Sequence, residues 1–407
     1  MDLHDKMILQ LSNNDKNIAY DIQFTAENTL KPFDEEVIAI LYTHKKIMDD
    51  IDNLKKWDYY KKLSNPYELI NHSIKKKCLN LGLGNYTPIS RAFYKFWELI
   101  MDFDLINTTG PISYAALAEG PGGFIEAFNF YRRKYYNNPR DTINCITLRD
   151  PKNSKIPSWD YIDGCKFNIS WGHDGTGNLY KLRNIQEFRK LFTSTTATKA
   201  DLVTADGGFD FTGDYTYQEI SIQRLLLCES VSAMAILKRG GHFVLKIFDM
   251  FYTTTVEIIY ILSFYFKHVT IVKPHTSRPA NSEKYLVCKN FQGISEIDLH
   301  QLYEIISAYS EHAEDQFVAS ILKTPVPDKF IRAINSYNIW AISNQIKYLL
   351  KTNFNMTRFL TNDIVNDIKN KQTVCALGWC LKYNFDINKK SNYINFDPTY
   401  NFIPYFL

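Results

Sequence analysis

From Pro111 onward, short apolar runs alternate with longer segments of helical periodicity, and this alternation constrains the fold more than any other feature of the chain. Runs suited to strands occupy 112–117, 143–148, 202–205, 242–247, 269–272 and 285–288, and helical patterns fall at 124–135, 182–192, 217–237 and 253–266. Strand and helix in alternation predict a mostly parallel, doubly wound α/β sheet with helices on both faces. Ligands of such sheets sit beyond the carboxyl ends of the strands. With 407 residues, the chain exceeds one ordinary domain, and 45% hydrophobic residues suffice for a substantial core.

The first of these strands runs into Leu117-Ala118-Glu119-Gly120-Pro121-Gly122-Gly123-Phe124. Three glycines and a proline make a tight strand-to-helix turn. A ligand can lie there against bare backbone at a helix N-terminus, where amide groups are unpaired. The dinucleotide pattern GxGxxG does not fit. An ordinary βα turn would look much the same, so the reading leans on charged residues elsewhere.

Those residues are Lys95, Asp206, Lys246 and Glu283. Lys95 lies in a helical stretch, 90–100, whose Phe93, Phe96, Trp97 and Ile100 form one apolar face. Asp206 follows the strand 202–205 and precedes Gly207-Gly208, a position that would also suit a helix cap. Lys246 ends an apolar run, and lysine seldom enters a buried strand unpaired. Glu283 immediately precedes the last strand. Together they predict a charged cluster at the ligand edge of the sheet. The glycine-rich loop 171–179 sits at another crossover and could wall the same pocket. The loop carrying Ser277, Arg278 and Ser282 could touch a phosphate or only turn the chain.

Composition excludes several alternatives. A formal net charge of +3 argues against a general polyanion binder, though not against a local basic groove. Seven scattered cysteines in a chain this long imply reduced thiols and a cytoplasmic setting. Nine histidines show no HxH or HExxH grouping, so no metal site is expected. The N-terminus carries no signal-like apolar stretch, and the most apolar helix pattern, 256–266, contains Glu257 and is too short to span a bilayer. The expectation is a soluble protein with no membrane partner.

The flanks read differently. Residues 1 to about 80 look helical and accessory; Asp34-Glu35-Glu36 suits a helix first turn. Lysines cluster at 45–46, 55–56, 61–62 and 75–77 beside Trp57, Tyr59 and Tyr60, either as a solvated face or as a phosphate-facing rim. Beyond about 295 the pattern is helical without obvious strands, at 297–309, 313–322, 331–350 and 358–368, a packing or partner-binding extension. The expected division is a helical extension over 1–85, the α/β domain over 86–293 and a second helical extension over 294–407.

Four ordered motifs carry a resemblance: Ala118 to Phe124, Ala205-Asp206-Gly207-Gly208, Gly241 to Lys246, and Ser277 to Tyr285. They resemble the FtsJ-like (RrmJ-type) RNA ribose 2′-O-methyltransferases over roughly residues 88–292. Arg91-Ala92-Phe93-Tyr94-Lys95 looks like the version in mRNA cap 2′-O-methyltransferases of eukaryotes and large DNA viruses. The resemblance implies a Rossmann-like fold using S-adenosylmethionine. It implies Lys95, Asp206, Lys246 and Glu283 as a catalytic tetrad, and Glu119, Gly120, Pro121, Gly122, Gly123 and Phe124 as the cofactor motif. Asp206, Asp150 and Asn178 are further cofactor-side candidates; relatives usually carry an aspartate where Asn178-Leu179 stand here. The implied substrate is RNA, most specifically the first transcribed nucleotide of capped mRNA, with ribosomal or transfer RNA as alternative and an inactive RNA-binding scaffold as a third reading. Trp159, Trp171, Phe209, Phe211 and Tyr215 are candidates for stacking on a cap guanine. The resemblance and the composition together suggest a large DNA virus replicating in the cytoplasm as the source.

The chemistry suits these residue types. A ribose hydroxyl must lose a proton as it attacks, and lysine is ordinarily protonated at neutral pH. Either Lys246 becomes a base through burial and neighbouring positive charge, or it steers the hydroxyl and the proton leaves late.

Overall fold

The computed structural model describes residues 6–9, 18–26, 30–49, 54–71, 73–75, 78–80, 82–136, 140–150, 152–153, 156, 159, 162, 164–195, 198–208, 218–312, 317–391 and 393–394. The N-terminal part holds β1 (Lys6–Leu9), β2 (Tyr20–Thr25), α1 (Glu35–Asp49), α2 (Leu54–Ser64), β3 (Ser73–Lys75) and β4 (Cys78–Asn80). The middle holds α3 (Ala92–Phe103), β5 (Ser113–Leu117), α4 (Gly123–Tyr136), β6 (Thr142–Ile146), β7 (Asn168–Ser170), α5 (Leu182–Thr193), β8 (Ala200–Ala205), α6 (Gln218–Ile236), β9 (Leu237–Ile247), α7 (Thr253–Tyr265), β10 (Phe266–Val272) and β11 (Lys284–Phe291). After it come α8 (Glu296–His312), β12 (Phe317–Leu322), α9 (Asp328–Thr357) and α10 (Asn362–Lys382).

An eight-stranded sheet in the order β1-β10-β11-β9-β8-β5-β6-β7 forms the centre. Strands β5 to β9 run parallel to one another, while β11 is antiparallel to both β9 and β10. The parallel strands are apolar on both faces, as a sheet covered on both sides requires. Alternate residues feed two cores. Ala115, Leu117, Val203, Ala205, Phe243 and Leu245 face one that includes Phe188, Val231 and Ile258 from α5, α6 and α7. Tyr114, Ala116, Leu202 and Val244 face the other, with Phe96 of α3, Phe128 of α4 and Trp379 of α10. The doubly wound expectation therefore holds, with helices on both faces.

The flanks depart from the helical reading in several places. Of the expected helix at 313–322, the described part is a strand, β12, paired antiparallel with β2. Its partner lies almost three hundred positions earlier, so no local pattern could reveal the pairing, and β-branched Val318 and Ile321 fit a strand at least as well. In the N-terminal part, β1 extends the main sheet by pairing with β10, Lys6 opposite Val272. The expected helix at 358–368 starts later: α9 ends at Thr357, and Thr361 caps α10 by accepting from the Ile364 amide at 3.4 Å. At 34–36 the expectation holds, with Asp34 Oδ1 accepting from the Val37 amide at 3.2 Å at the start of α1.

Candidate active site

The parallel strands β5, β6, β8 and β9 end at one edge of the sheet, and β11 begins there because it runs the other way. This places Asp206, one residue past β8, beside Lys246, the penultimate residue of β9, and brings Glu283 in just ahead of β11. Lys246 Nζ donates to the Asp206 carbonyl at 2.6 Å and lies 3.3 Å from its Oδ1. Tyr285, directly opposite Lys246 across the ladder, donates its hydroxyl to Asp206 Oδ1 at 2.9 Å. Lys95 reaches the cluster from α3, whose Phe93, Phe96, Trp97 and Ile100 are wholly buried. Its Nζ sits 2.7 and 2.8 Å from the two oxygens of Glu283. The four charged residues singled out in the sequence thus form two lysine–carboxylate pairs at the predicted edge.

Their electrostatics are mutual. Burial works against the Glu283 carboxylate, but the charges of Lys95 and Lys246 overcome it and hold the group down at about 2. Burial likewise works against charged Lys246, and Asp206, Glu283 and Glu229 together raise it above the ordinary lysine value. The carboxylates therefore favour the charged form of Lys246.

The glycine turn lies beside this cluster, at the end of β5. Ala118 takes a left-handed conformation (φ 50°) and Gly122 a φ of 106°. A Cβ on Gly122 would come within 3.0 Å of Ile162 and 3.2 Å of the Trp159 ring, and the positive φ strains any L side chain there. Glu119 is buried and faces inward: its oxygens accept from the Ile125 amide at 3.0 Å and the Thr204 hydroxyl at 2.8 Å, and Thr204 accepts from Tyr114 at 2.7 Å. Burial, then the charge of Asp206, pushes Glu119 up to about 8. Phe124 stacks in the core on Phe96, 4.5 Å between centroids. Glu119 and Phe124 therefore hold the turn in place, and Gly120 and Pro121 are the parts of the motif that reach the surface. Gly120 and Pro121, half-exposed just ahead of the N-terminus of α4, offer backbone against which a cofactor could lie.

Past β7, the loop 171–179 closes on the segment that follows the neighbouring strand β6. The Arg149 amide donates to Thr176 O at 2.7 Å, and a Cβ on Gly177 would strike the Thr147 carbonyl. Asp174 organises the loop through Lys181, Thr176 and Asn184. Asn178 turns its oxygen to the Tyr180 amide at 2.9 Å, and the exposed Asp150 turns its own to the Lys152 amide at 3.0 Å. Asn178 and Asp150 thus belong to adjoining loops at the edge, each with an oxygen engaged in its own turn.

Other candidates resolve differently. Arg278 pairs with Glu68 at 2.8 Å, and Glu68 also lies 3.3 Å from Arg91. Trp159 packs on Phe167, and Arg149 lies over Trp171 at 5.1 Å. Phe209, Phe211 and Tyr215 lie outside the described residues. Of the lysine clusters, Lys61 and Lys62 pair with Asp58 on their own helix, Lys46 is exposed and Lys45 is buried; the side chains at 55 and 75–77 lie outside the described set. Among the described residues no group of acids, histidines and cysteines could hold a metal ion, and no described helix is long and apolar enough to cross a membrane.

Sequence reasoning passed over several supports. Glu98, one turn after Lys95, accepts the amides of His275 and Thr276 at 2.7 Å each and so pins the loop that leads to Glu283. Burial raises it to about 7. Lys273 donates to the carbonyls of Asn281 and Glu283 at 2.8 Å each, and burial lowers it to about 7. Glu229 of α6 is buried behind Gly207, where a Cβ would fall 2.3 Å from its Oε1. Period-two alternation could have flagged Tyr285 as the partner of Asp206. The buried glutamates gave no such signal, because a glutamate on a helix is usually solvated.

A family model described as FtsJ-like methyltransferase matches residues 88–291, half of the chain. The chain is 29% identical over 338 residues to cap-specific mRNA (nucleoside-2′-O-)-methyltransferase 1 of Dictyostelium discoideum, covering 77% of this chain and 42% of that protein. It is 31% identical to the human protein of the same name over 283 residues, 65% of this chain and 32% of that one. The mouse protein matches at 37% identity over 189 residues, 45% of this chain and 22% of its own length. The chain thus spans less than half the length of these relatives.

Proposed function

The chain belongs to the FtsJ-like methyltransferase family, and from that premise we propose that it methylates the ribose 2′-hydroxyl of RNA, at the first transcribed nucleotide of capped mRNA. S-adenosylmethionine would supply the methyl group as a sulfonium-bound electrophile. Gly120, Pro121 and Gly122 would hold it at the open turn, with Asp206 alongside and Asp150 and Asn178 on the nucleoside side. The observation that carries the reading is the pair of lysine–carboxylate contacts at the strand edge beside that turn.

Lys95 and Lys246 act on the substrate oxygen, each aimed by a carboxylate. Lys246, kept charged by Asp206 and Glu283, donates a hydrogen bond to the 2′-oxygen and fixes a lone pair toward the methyl group. As the oxygen–methyl bond forms and the sulfur–methyl bond breaks, the sulfur would leave with the electron pair and the hydroxyl proton would pass to solvent water, while the ammonium would stabilise negative charge developing on the oxygen. Lys95 is held by both oxygens of Glu283 and adds a second positive charge. Asp206 and Glu283 orient the lysines, and Tyr285 holds Asp206. Positioning supplies much of the rate in such an in-line transfer. The names of the relatives support capped mRNA as the substrate. Six described cysteines are free, in keeping with a cytoplasmic setting.

The test is methyl transfer from labelled S-adenosylmethionine to matched short RNAs, one capped with methylguanosine and one bearing a 5′-triphosphate, with nuclease mapping of the product. Label on the first ribose of the capped RNA alone is expected. Equal label on both overturns the cap assignment, and none on either overturns the enzyme.

A further inference from the structure

Helix α1 lies outside the residues that match the family, and the sequence marks it as accessory. Its inward face repeats at spacings of three and four: Ile38, Leu41 and Lys45 are 4%, 0% and 5% exposed. The first two pack with Phe251 in a small separate core. The third is a lysine as buried as its apolar neighbours, which requires a partner. That partner is Asp249, three residues beyond Lys246: Lys45 Nζ lies 3.2 Å from its Oδ2. The other oxygen faces Lys284 Nζ at 3.6 Å, and Lys284 donates to the Ser282 carbonyl at 2.7 Å. Ser282 and Lys284 bracket Glu283. One buried carboxylate thus joins the exit of β9 to the start of β11, and the nearer of its two cations comes from α1.

Other contacts from outside the matched residues grip the same two loops. The Phe33 amide donates to Phe251 O at 2.9 Å, Asn338 Nδ2 to Met250 O at 2.7 Å, and Gln345 Nε2 to Ala280 O at 3.1 Å. Resting on the reading above, we propose that Lys45 is a positioning residue of the methyl-transfer site, acting through Asp249 and Lys284 to fix the backbone from which Glu283 meets Lys95 and Lys246. The distances show why a cation is needed. Lys284 is closer to the Ser282 carbonyl than to Asp249. Without Lys45, Asp249 draws the Lys284 ammonium off that carbonyl and loosens the residue beside Glu283.

The experiment compares wild type, Lys45→Met and Lys45→Arg. In Lys45→Met, kcat for the capped RNA falls tenfold to a hundredfold, the scale of a misplaced catalytic group. KM for RNA stays within twofold, because Lys45 is buried, and Lys45→Arg recovers most of the rate. Backbone hydrogen exchange across 277–285 speeds up in Lys45→Met; this readout needs neither cofactor nor RNA. In the Asp249→Asn background, adding Lys45→Met costs nothing further, because Lys45 acts only through Asp249. That double variant leaves no buried carboxylate unpaired, and it carries the comparison if Lys45→Met alone does not fold. Unchanged exchange across 277–285 overturns the proposal whatever the wild type methylates. So does a rise in KM at constant kcat, which would make Lys45 an RNA contact. Wild type with no methyl transfer overturns the proposed function instead, and exchange still decides the role of Lys45.

Discussion

Glu283→Gln isolates the electrostatics of the site. In the folded protein the Glu283 carboxyl is held at about 2, against 4.5 for an unperturbed glutamate. A carboxyl depressed on folding adds stability above its unfolded value and loses it as pH falls toward the folded one. The gap from 4.5 to about 2 corresponds to about 3 kcal/mol at pH 7, falling to about 2 kcal/mol at pH 3.5. Glutamine keeps the shape and cannot titrate. The stability difference between wild type and Glu283→Gln should therefore shrink by about 1 kcal/mol between pH 7 and pH 3.5. Urea unfolding of both proteins at the two pH values measures it, and acids common to both cancel. Methyl transfer should fall by about a hundredfold at pH 7, because Lys95 loses the carboxylate that aims it. A stability difference that is flat with pH would refute the reasoning, since it would mean that Lys95 and Lys246 do not hold Glu283 charged.

Lys246→Ala should abolish methyl transfer while S-adenosylmethionine still raises the melting temperature; loss of the folded state instead would make Lys246 structural. Gly122→Val should remove that cofactor-induced shift, because φ 106° and the approach of Trp159 and Ile162 admit no branched residue; a shift of wild-type size would place the cofactor elsewhere. Thr204→Val, nearly isosteric, should cost about 2–4 kcal/mol in urea unfolding, because it strips a hydrogen bond from each of the buried Glu119 and Tyr114. An unchanged midpoint would show that the Thr204 hydroxyl is dispensable to that network.

The α/β centre was legible because its signals are local. Strands buried on both faces read as apolar runs, and the helix between 182 and 192 needs only its own periodicity to be found. Asp206 and Lys246 stand out because charge at the end of an apolar strand is costly without a purpose, whereas Lys95, on a helix, is marked only by the resemblance. What escaped depended on partners distant in the chain. β12 is a strand because β2 offers it an edge. Lys45 looked like one more solvated lysine, and only packing against Phe251 places it beside Asp249. The inward bonds of the Glu119 carboxyl, to the Ile125 amide and the Thr204 hydroxyl, are a direction no spacing reveals.

Strand β1 makes assembly wait on synthesis. Leu9 pairs with Val269, so residues 6–9 leave the ribosome on the order of tens of seconds before their partner strand exists. Until then they have no ladder to join. Afterwards β10 remains an open edge until they return to it. Such edges recruit other chains. A shortened chain that begins at the family-matched core would keep the four charged residues but leave β10 permanently open and Asp249 without Lys45, so it would self-associate as well as lose rate.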